Sequence, residues 1–232
     1  MKTLFDKLKG TKAALRCYRE CVELLEAQNT ELKDFDDKWL IESKDFKWSF
    51  PITARAIKRM QLKLIVLEPQ KAQVFCGINA DYINREYCEK NDIEIVPFPT
   101  QGGAAVCNKG DILLIFMIPK KKGRFRFLEA IKPQIIKYLS EHINGSSIAT
   151  SGNDIEVNGK KLSGSSTALK MGVVIESIFI SGVNNQNNLD AVGHKGRKRA
   201  ITSITELGIN LKDFREWIVK TIQNEVDKWT QD

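Results

Sequence analysis

The segment Asn153-Asp154-Ile155-Glu156-Val157-Asn158-Gly159-Lys160-Lys161-Leu162-Ser163-Gly164-Ser165 carries the residue types in this chain best suited to chemistry. Asn158-Gly159 at its centre readily takes positive φ at both inner positions of a type I′ turn, so the spacing predicts a β-hairpin. That turn sets Val157 opposite Lys160, Glu156 opposite Lys161, Ile155 opposite Leu162 and Asp154 opposite Ser163. Side chains alternate along a strand, so Ile155, Val157 and Leu162 are expected to enter a core, while Asp154, Glu156, Lys161 and Ser163 share the other face. Two carboxylates, an ammonium and a hydroxyl on one rigid surface can bind a polyphosphate or a carboxyl group. The same pattern also describes a half-exposed hairpin whose charged face is merely solvated.

Such a hairpin needs a scaffold. Leu62–Leu67 and Ala72–Phe75 read as strands, Asp81–Lys90 as a helix, Asp92–Val96 as a short strand closed by Pro97 and Pro99, and Asp111–Ile118 as a strongly apolar strand. Phe127, Ile131, Ile135, Leu139 and Ile143 recur at every fourth position, which predicts a helix from Phe125 to Ile143 with Pro133 early in it. Val173–Ile180 reads as a strand, and Leu211, Phe214, Ile218, Ile222 and Val226 define a closing helix. Ahead of all these, Thr11 to about Lys47 reads as helical, and Pro51 marks a break. The expected organisation is an N-terminal helical extension over residues 1–50 and a main α+β domain with a mixed sheet over 51–232. Two small-residue segments punctuate it. Gly77-Ile78-Asn79 ends a strand and opens a helix, and Gly102-Gly103-Ala104-Ala105-Val106 is a loop without side-chain bulk. Such residues let backbone N–H groups approach a phosphate or an acyl chain closely, although Gly102 and Gly103 also suit a plain turn.

The 232 residues carry a formal net charge of +7, concentrated in Lys120–Arg126 and His194–Arg199. An excess of this kind suits an acidic protein partner, an anionic substrate or nucleic acid, and equally suits solvated loops. The longest apolar run, Ile112–Ile118, is too short to span a membrane, and Met1–Lys7 lacks the apolar core of a signal peptide, so a cytoplasmic protein is expected. Five scattered cysteines without paired spacing and two histidines argue against a disulfide framework and a zinc site. Cys76, Cys88 and Cys107 read as small core residues.

In order and spacing, Gly77-Ile78-Asn79, Gly102–Val106, Asn153-Asp154 and Lys161-Leu162-Ser163-Gly164-Ser165 resemble the motifs of the lipoate–protein ligase catalytic domain, in the biotin/lipoate ligase and octanoyltransferase superfamily. The resemblance runs from about Leu62 to Val226. It implies a mixed, largely antiparallel sheet flanked by helices, as in class II synthetases, and makes residues 51–232 the catalytic domain. It implies an ATP-dependent acyl–protein ligase that forms an acyl-adenylate and passes the acyl group to a lysine of a small acidic acceptor domain. Lys161 is then the catalytic residue, stabilising charge at the acyl carbonyl and α-phosphate. Substrate and adenylate contacts fall at Gly77, Asn79, Gly102, Gly103, Ala104, Ala105, Val106, Asn108, Asn153, Asp154, Ser163, Gly164 and Ser165, with Asp154 a candidate Mg²⁺ ligand. The implied cofactors are ATP and Mg²⁺, and the implied substrate is lipoic acid or a medium-chain fatty acid.

The chain also departs from the family. Phe98-Pro99-Thr100 stands where paired arginines precede the glycines, which removes bidentate contacts to carboxylate or phosphate. The third glycine is Ala104, and Asn108-Lys109 replaces the usual His-Asp. Glu176-Ser177-Ile178-Phe179 occupies the region of the expected His-Gly. Two other readings follow: an ATP-independent octanoyltransferase, and a catalytically altered ligase-like fold that binds a partner, nucleic acid among them, through its basic loops.

Overall fold

The fold is that of a computed structural model, which describes residues 37–43, 49–76, 83–97, 104–120, 126–184, 190–192 and 200–231. The strands are β1 (Leu40–Ser43), β2 (Lys63–Leu67), β3 (Gln73–Cys76), β4 (Glu94–Pro97), β5 (Ala104–Cys107), β6 (Ile112–Pro119), β7 (Ile148–Ser151), β8 (Asp154–Val157), β9 (Lys160–Lys170) and β10 (Val173–Ile180). The helices are α1 (Ser49–Arg59), α2 (Arg85–Lys90), α3 (Phe127–His142) and α4 (Leu211–Gln231). A seven-stranded sheet runs β1-β2-β6-β10-β9-β8-β7, parallel only between β1 and β2, and a second sheet of three strands runs β4-β3-β5. The fold is therefore α+β with a large, mostly antiparallel sheet flanked by helices.

Strand β6 is buried at every position because both faces of the large sheet are covered. On one face Leu64, Leu114, Phe116 and Ile178 meet Phe127, Ile131, Ile135 and Leu139 of α3 and Phe214, Ile218 and Ile222 of α4. The every-fourth-residue spacing that predicts these helices is the stripe they bury. On the other face Ile65, Leu113, Ile115, Met117 and Ile175 meet Ile52, Ala54 and Ile57 of α1 and Phe75, Val96 and Cys107 of the small sheet. A third cluster, including Val74, Cys88, Val106 and Ala191, fills the space between the small sheet and α2.

Three sequence expectations are corrected. Leu40–Ser43, inside the stretch read as helical, is a strand that pairs with Leu64–Leu67. Its place is fixed by tertiary contacts: the Lys63 ammonium donates to the Lys38 carbonyl, and Arg215 of α4 forms ion pairs with Glu42 and Glu68. Residues 1–36, with most of the expected helical extension, lie outside the described residues. Pro51 does not break a helix but sits in the first turn of α1, where its missing N–H has no intrahelical partner to lose. Ile148–Ser151 adds an edge strand, β7, beyond the expected hairpin. Among the described residues no helix is long and apolar enough to cross a membrane.

The turn from β5 to β6 is tied to the end of β10 by a buried carboxylate. Asp111 accepts from the Asn108 N–H at 2.6 Å and from the Gly182 N–H at 2.8 Å. Burial pushes this carboxyl up to about 7, against the opposing pull of the backbone N–H groups of Asn108, Gly182 and Val183. A carboxyl whose folded value lies above its unfolded one, near 4, holds its proton more tightly when folded. It therefore supports folding at low pH, and that support is lost as pH rises through about 7. We expect unfolding free energy, measured by urea denaturation between about pH 5 and 8, to decline more steeply with pH in the wild type than in Asp111→Asn. Parallel profiles would contradict this account.

Candidate active site at the β8–β9 hairpin

Asn158 and Gly159 both have positive φ, 52° and 73°, which makes the connection the expected type I′ turn. Next to the turn the register is also as expected, with Val157 opposite Lys160 and Glu156 opposite Lys161. Beyond that pair a β-bulge intervenes, so Ile155 lies opposite Ser163 and Asp154 opposite Gly164. The expected pairing of Asp154 with Ser163 is thus corrected by one residue. Ser163 turns into the interior with Leu162, fully buried, and its hydroxyl accepts from the Ile155 N–H at 3.2 Å. That bond compensates the ladder disruption at the bulge and allows a hydroxyl to be buried.

The shift puts a glycine where a hydroxyl was expected. Lys161 Nζ lies 3.0 Å from Asp154 Oδ1, with the two side chains 33% and 18% exposed. A Cβ built on Gly164 would lie 3.1 Å from that ammonium and 3.4 Å from the carboxylate oxygen. Any side chain there would crowd the ion pair. Asp154, Lys161 and Gly164 therefore form one surface, while Ile155, Val157 and Leu162 join the core beneath α3 and α4. Gly164 lies opposite Phe179, which packs with the cluster on the other face of the sheet. The surface of the ion pair is consequently the face that the small sheet covers.

The backbone of Lys161 is held on both edges. On one side it pairs with Glu156. On the other, β10 begins its pairing with β9 only at Ser163, and the segment Ala200–Thr202 fills the gap. The Lys161 N–H donates to the Ala200 carbonyl at 2.8 Å, and the Thr202 N–H donates to the Lys161 carbonyl at 3.0 Å. A lysine fixed in this way presents its charge with little reorganisation, which is the condition for electrostatic stabilisation of a reacting centre.

The other expected site residues divide. Ala105 lies opposite Phe75 and shares its side of the small sheet, which faces the large one. Ala104 and Val106 alternate with it and turn their side chains toward α2. Asn108 is buried and serves the Asp111 turn rather than an open surface. Asn153 is exposed beside Asp154, and the Ser165 hydroxyl, on the opposite face from Gly164, donates to the Asn153 carbonyl at 2.7 Å. Gly77, Asn79, Gly102 and Gly103 lie outside the described residues, as do Lys121–Phe125 and His194–Arg199. Cys88 and Cys107 are buried free thiols, both pushed up by burial, and Cys107 further by the neighbouring Asp111. Neither is poised as a nucleophile.

Two charged groups bear on the site from the α3 side of the sheet. Glu176 is buried, and its carboxylate accepts from the Leu128 N–H at 3.1 Å, capping the first turn of α3. Burial raises its pKa, opposed by that bond and by Arg126. Lys132 of α3 donates to the Asn153 carbonyl at 3.1 Å. Burial lowers its pKa, while the Asp154 and Glu176 carboxylates raise it. No local pattern signals Lys132, because its role depends on how α3 packs on a hairpin about twenty residues away.

The family model of the lipoyl protein ligase A/B catalytic domain matches residues 52–223, and the chain belongs to that family. Solved structures with the same fold include P. falciparum LipL1 in complex with lipoate, at a TM-score of 0.64 and 15% identity over 83% of this chain. This chain spans 61% of that protein. A bipartite lipoate protein ligase, studied with its E2 lipoyl domain, from Thermoplasma acidophilum has a TM-score of 0.60 and 16% identity over 81% of this chain and 82% of its own. Lipoate-protein ligase A bound with ATP has a TM-score of 0.61 and 18% identity, over 81% of this chain and 85% of its own. No curated protein sequence matches the chain.

Proposed function

We propose that the chain is an ATP-dependent acyl–protein ligase of the lipoate type, with lipoic acid or a medium-chain fatty acid as substrate. The observation that carries this reading is the Lys161–Asp154 ion pair, placed over Gly164 on the face covered by the small sheet. In the first step a carboxylate oxygen of the acyl acid attacks the α-phosphate of ATP, and pyrophosphate leaves. In the second step the amine of an acceptor lysine attacks the acyl carbonyl, loses a proton, and AMP leaves. The Lys161 ammonium stabilises the negative charge that builds on the phosphoryl and carbonyl oxygens. Asp154 orients that ammonium. The relatives support the substrates: one holds lipoate, one holds ATP, and one is paired with a lipoyl domain. The net charge of +7 suits an acidic acceptor domain, whose approach it would steer.

Among the described residues no group of three or more His, Cys, Asp or Glu side chains could hold a metal. Mg²⁺ would be held by one carboxylate together with the phosphates of the nucleotide, and would neutralise charge on them. Asp154 is the carboxylate placed to meet it. Buried Cys107 offers no route to a thioester, which favours adenylation over a cysteine-based octanoyl transfer.

Calorimetric titration tests the binding half of this reading. Saturable binding of Mg-ATP, and of lipoate or octanoate, is the expected result. Absence of both, together with nucleic-acid affinity that falls steeply with salt, would replace the ligase by a binding module.

A further inference from the structure

We infer that Lys132 is a positioning residue for the candidate site: with Ser165 it clamps the Asn153 carbonyl and thereby fixes Asp154 against Lys161. Its catalytic meaning rests on the ligase reading above, but the clamp itself is a structural claim.

The Asn153 carbonyl receives two donors from two different elements, the Ser165 hydroxyl of β9 at 2.7 Å and the Lys132 ammonium of α3 at 3.1 Å. Asn153 itself lies in an exposed two-residue turn that joins Ser151 to Asp154, with Gly152 at a φ of 59°. On its outer side, among the described residues, that turn is flanked by β7, the four-residue edge strand of the large sheet. A turn at the end of a short edge strand opens readily unless something outside the ladder holds it. The next held group after Asp154 is the Ile155 N–H, bound to Ser163 Oγ at 3.2 Å. Asp154 is therefore bracketed by one held carbonyl and one held N–H, and Lys132 supplies part of the first.

The clamp is anchored in turn. Glu176 of β10 binds the Leu128 N–H at the start of α3. That bond fixes the axial position of the helix on the sheet one turn before Lys132 projects toward the hairpin. The Asp154 and Glu176 carboxylates both act on the Lys132 ammonium, so removing its charge changes the field at the site as well as one hydrogen bond. The Ser165 hydroxyl and the Lys132 ammonium share one acceptor, so each is needed for full restraint and the two are expected to be energetically coupled.

Amide hydrogen exchange on the full chain reads the clamp without reference to activity. In Lys132→Met, which keeps the length of the stem, exchange at Asp154 and Ile155 is expected to rise about tenfold, while Glu156–Lys161 stays at wild-type rates. Lys132→Arg is expected to restore protection, because it keeps a charged donor. The Lys132→Met/Ser165→Ala pair is expected to depart from the sum of the single changes. In acyl-dependent pyrophosphate exchange, Lys132→Met should lower kcat about tenfold with KM for ATP little changed, the split expected of misplacement rather than lost binding. Unchanged exchange at Ile155 in Lys132→Met, or equal losses in the Met and Arg variants, overturns the inference. If the wild type shows no pyrophosphate exchange while Ile155 still responds, the clamp stands and the ligase reading falls.

Discussion

Lys161→Ala is expected to lower acyl-dependent pyrophosphate exchange by at least about 10²–10³-fold, the loss typical of removing one preorganised charge-stabilising donor. In this chain the loss should sit at the upper end. Phe98-Pro99-Thr100 stands where the family carries arginines, so the bidentate contacts of that pair are missing and more of the charge falls to Lys161. Lys161→Arg should not rescue, because the space over Gly164 is matched to a compact ammonium: a Cβ built there already lies 3.1 Å from Nζ. Stability, by contrast, should move by no more than about 1 kcal/mol, since the lysine is partly exposed and adds nothing to the core. The backbone bonds of Lys161 to Ala200 and Thr202 survive truncation, and Lys132 remains beside Asp154. Equal exchange rates in wild type and Lys161→Ala would remove the lysine from the mechanism. Thermal stability close to that of the wild type is expected alongside the kinetic loss in Lys161→Ala.

The largest effect on stability is expected at Gly182. A Cβ placed there would lie 1.8 Å from the Gly110 carbonyl oxygen, a backbone atom that cannot swing aside. Gly110 itself has a φ of 91°, and a Cβ on it would meet Val183 at 2.8 Å. The two glycines let the β5–β6 turn cross the chain leaving β10, and the Asp111 carboxylate closes that crossing by binding the Gly182 N–H. Gly182→Ala must separate the two strands of backbone and strain or break that buried bond. A loss on the order of 3 kcal/mol or more is expected, readable as a shifted urea midpoint. A change below about 1 kcal/mol would show that the crossing is not as close as the structure places it.

Local chemistry made part of this molecule legible in its sequence. The Asn158-Gly159 turn, the apolar positions Ile155, Val157 and Leu162, the α3 and α4 stripes and the buried run of β6 all follow from short-range periodicity and turn preference. The bulge that swaps Ser163 for Gly164 on the site surface did not, because an extra residue confined to one strand leaves Ile155, Val157 and Leu162 in the core and so leaves the hydrophobic pattern unchanged. A glycine four residues into a strand gives no sign of whether it serves flexibility or proximity; only its 3.1 Å approach to Lys161 decides. Leu40–Ser43 is charged and short, so its strand state depends on pairing with β2 and on Arg215, contacts that join distant parts of the chain. The division into two sheets, which turns Val106 away from the large sheet and Ala105 toward it, likewise arises from packing that single-strand patterns do not encode.

The central claim is that the Lys161 hairpin activates a carboxylate as its adenylate. Exchange of labelled pyrophosphate into ATP by the wild-type protein, measured with lipoate, octanoate and biotin in turn, tests it most directly. The account predicts exchange that depends on lipoate or octanoate, is weak or absent with biotin, and is abolished in Lys161→Ala. No exchange above background with any of the three acids, under conditions where the protein is folded, would contradict it.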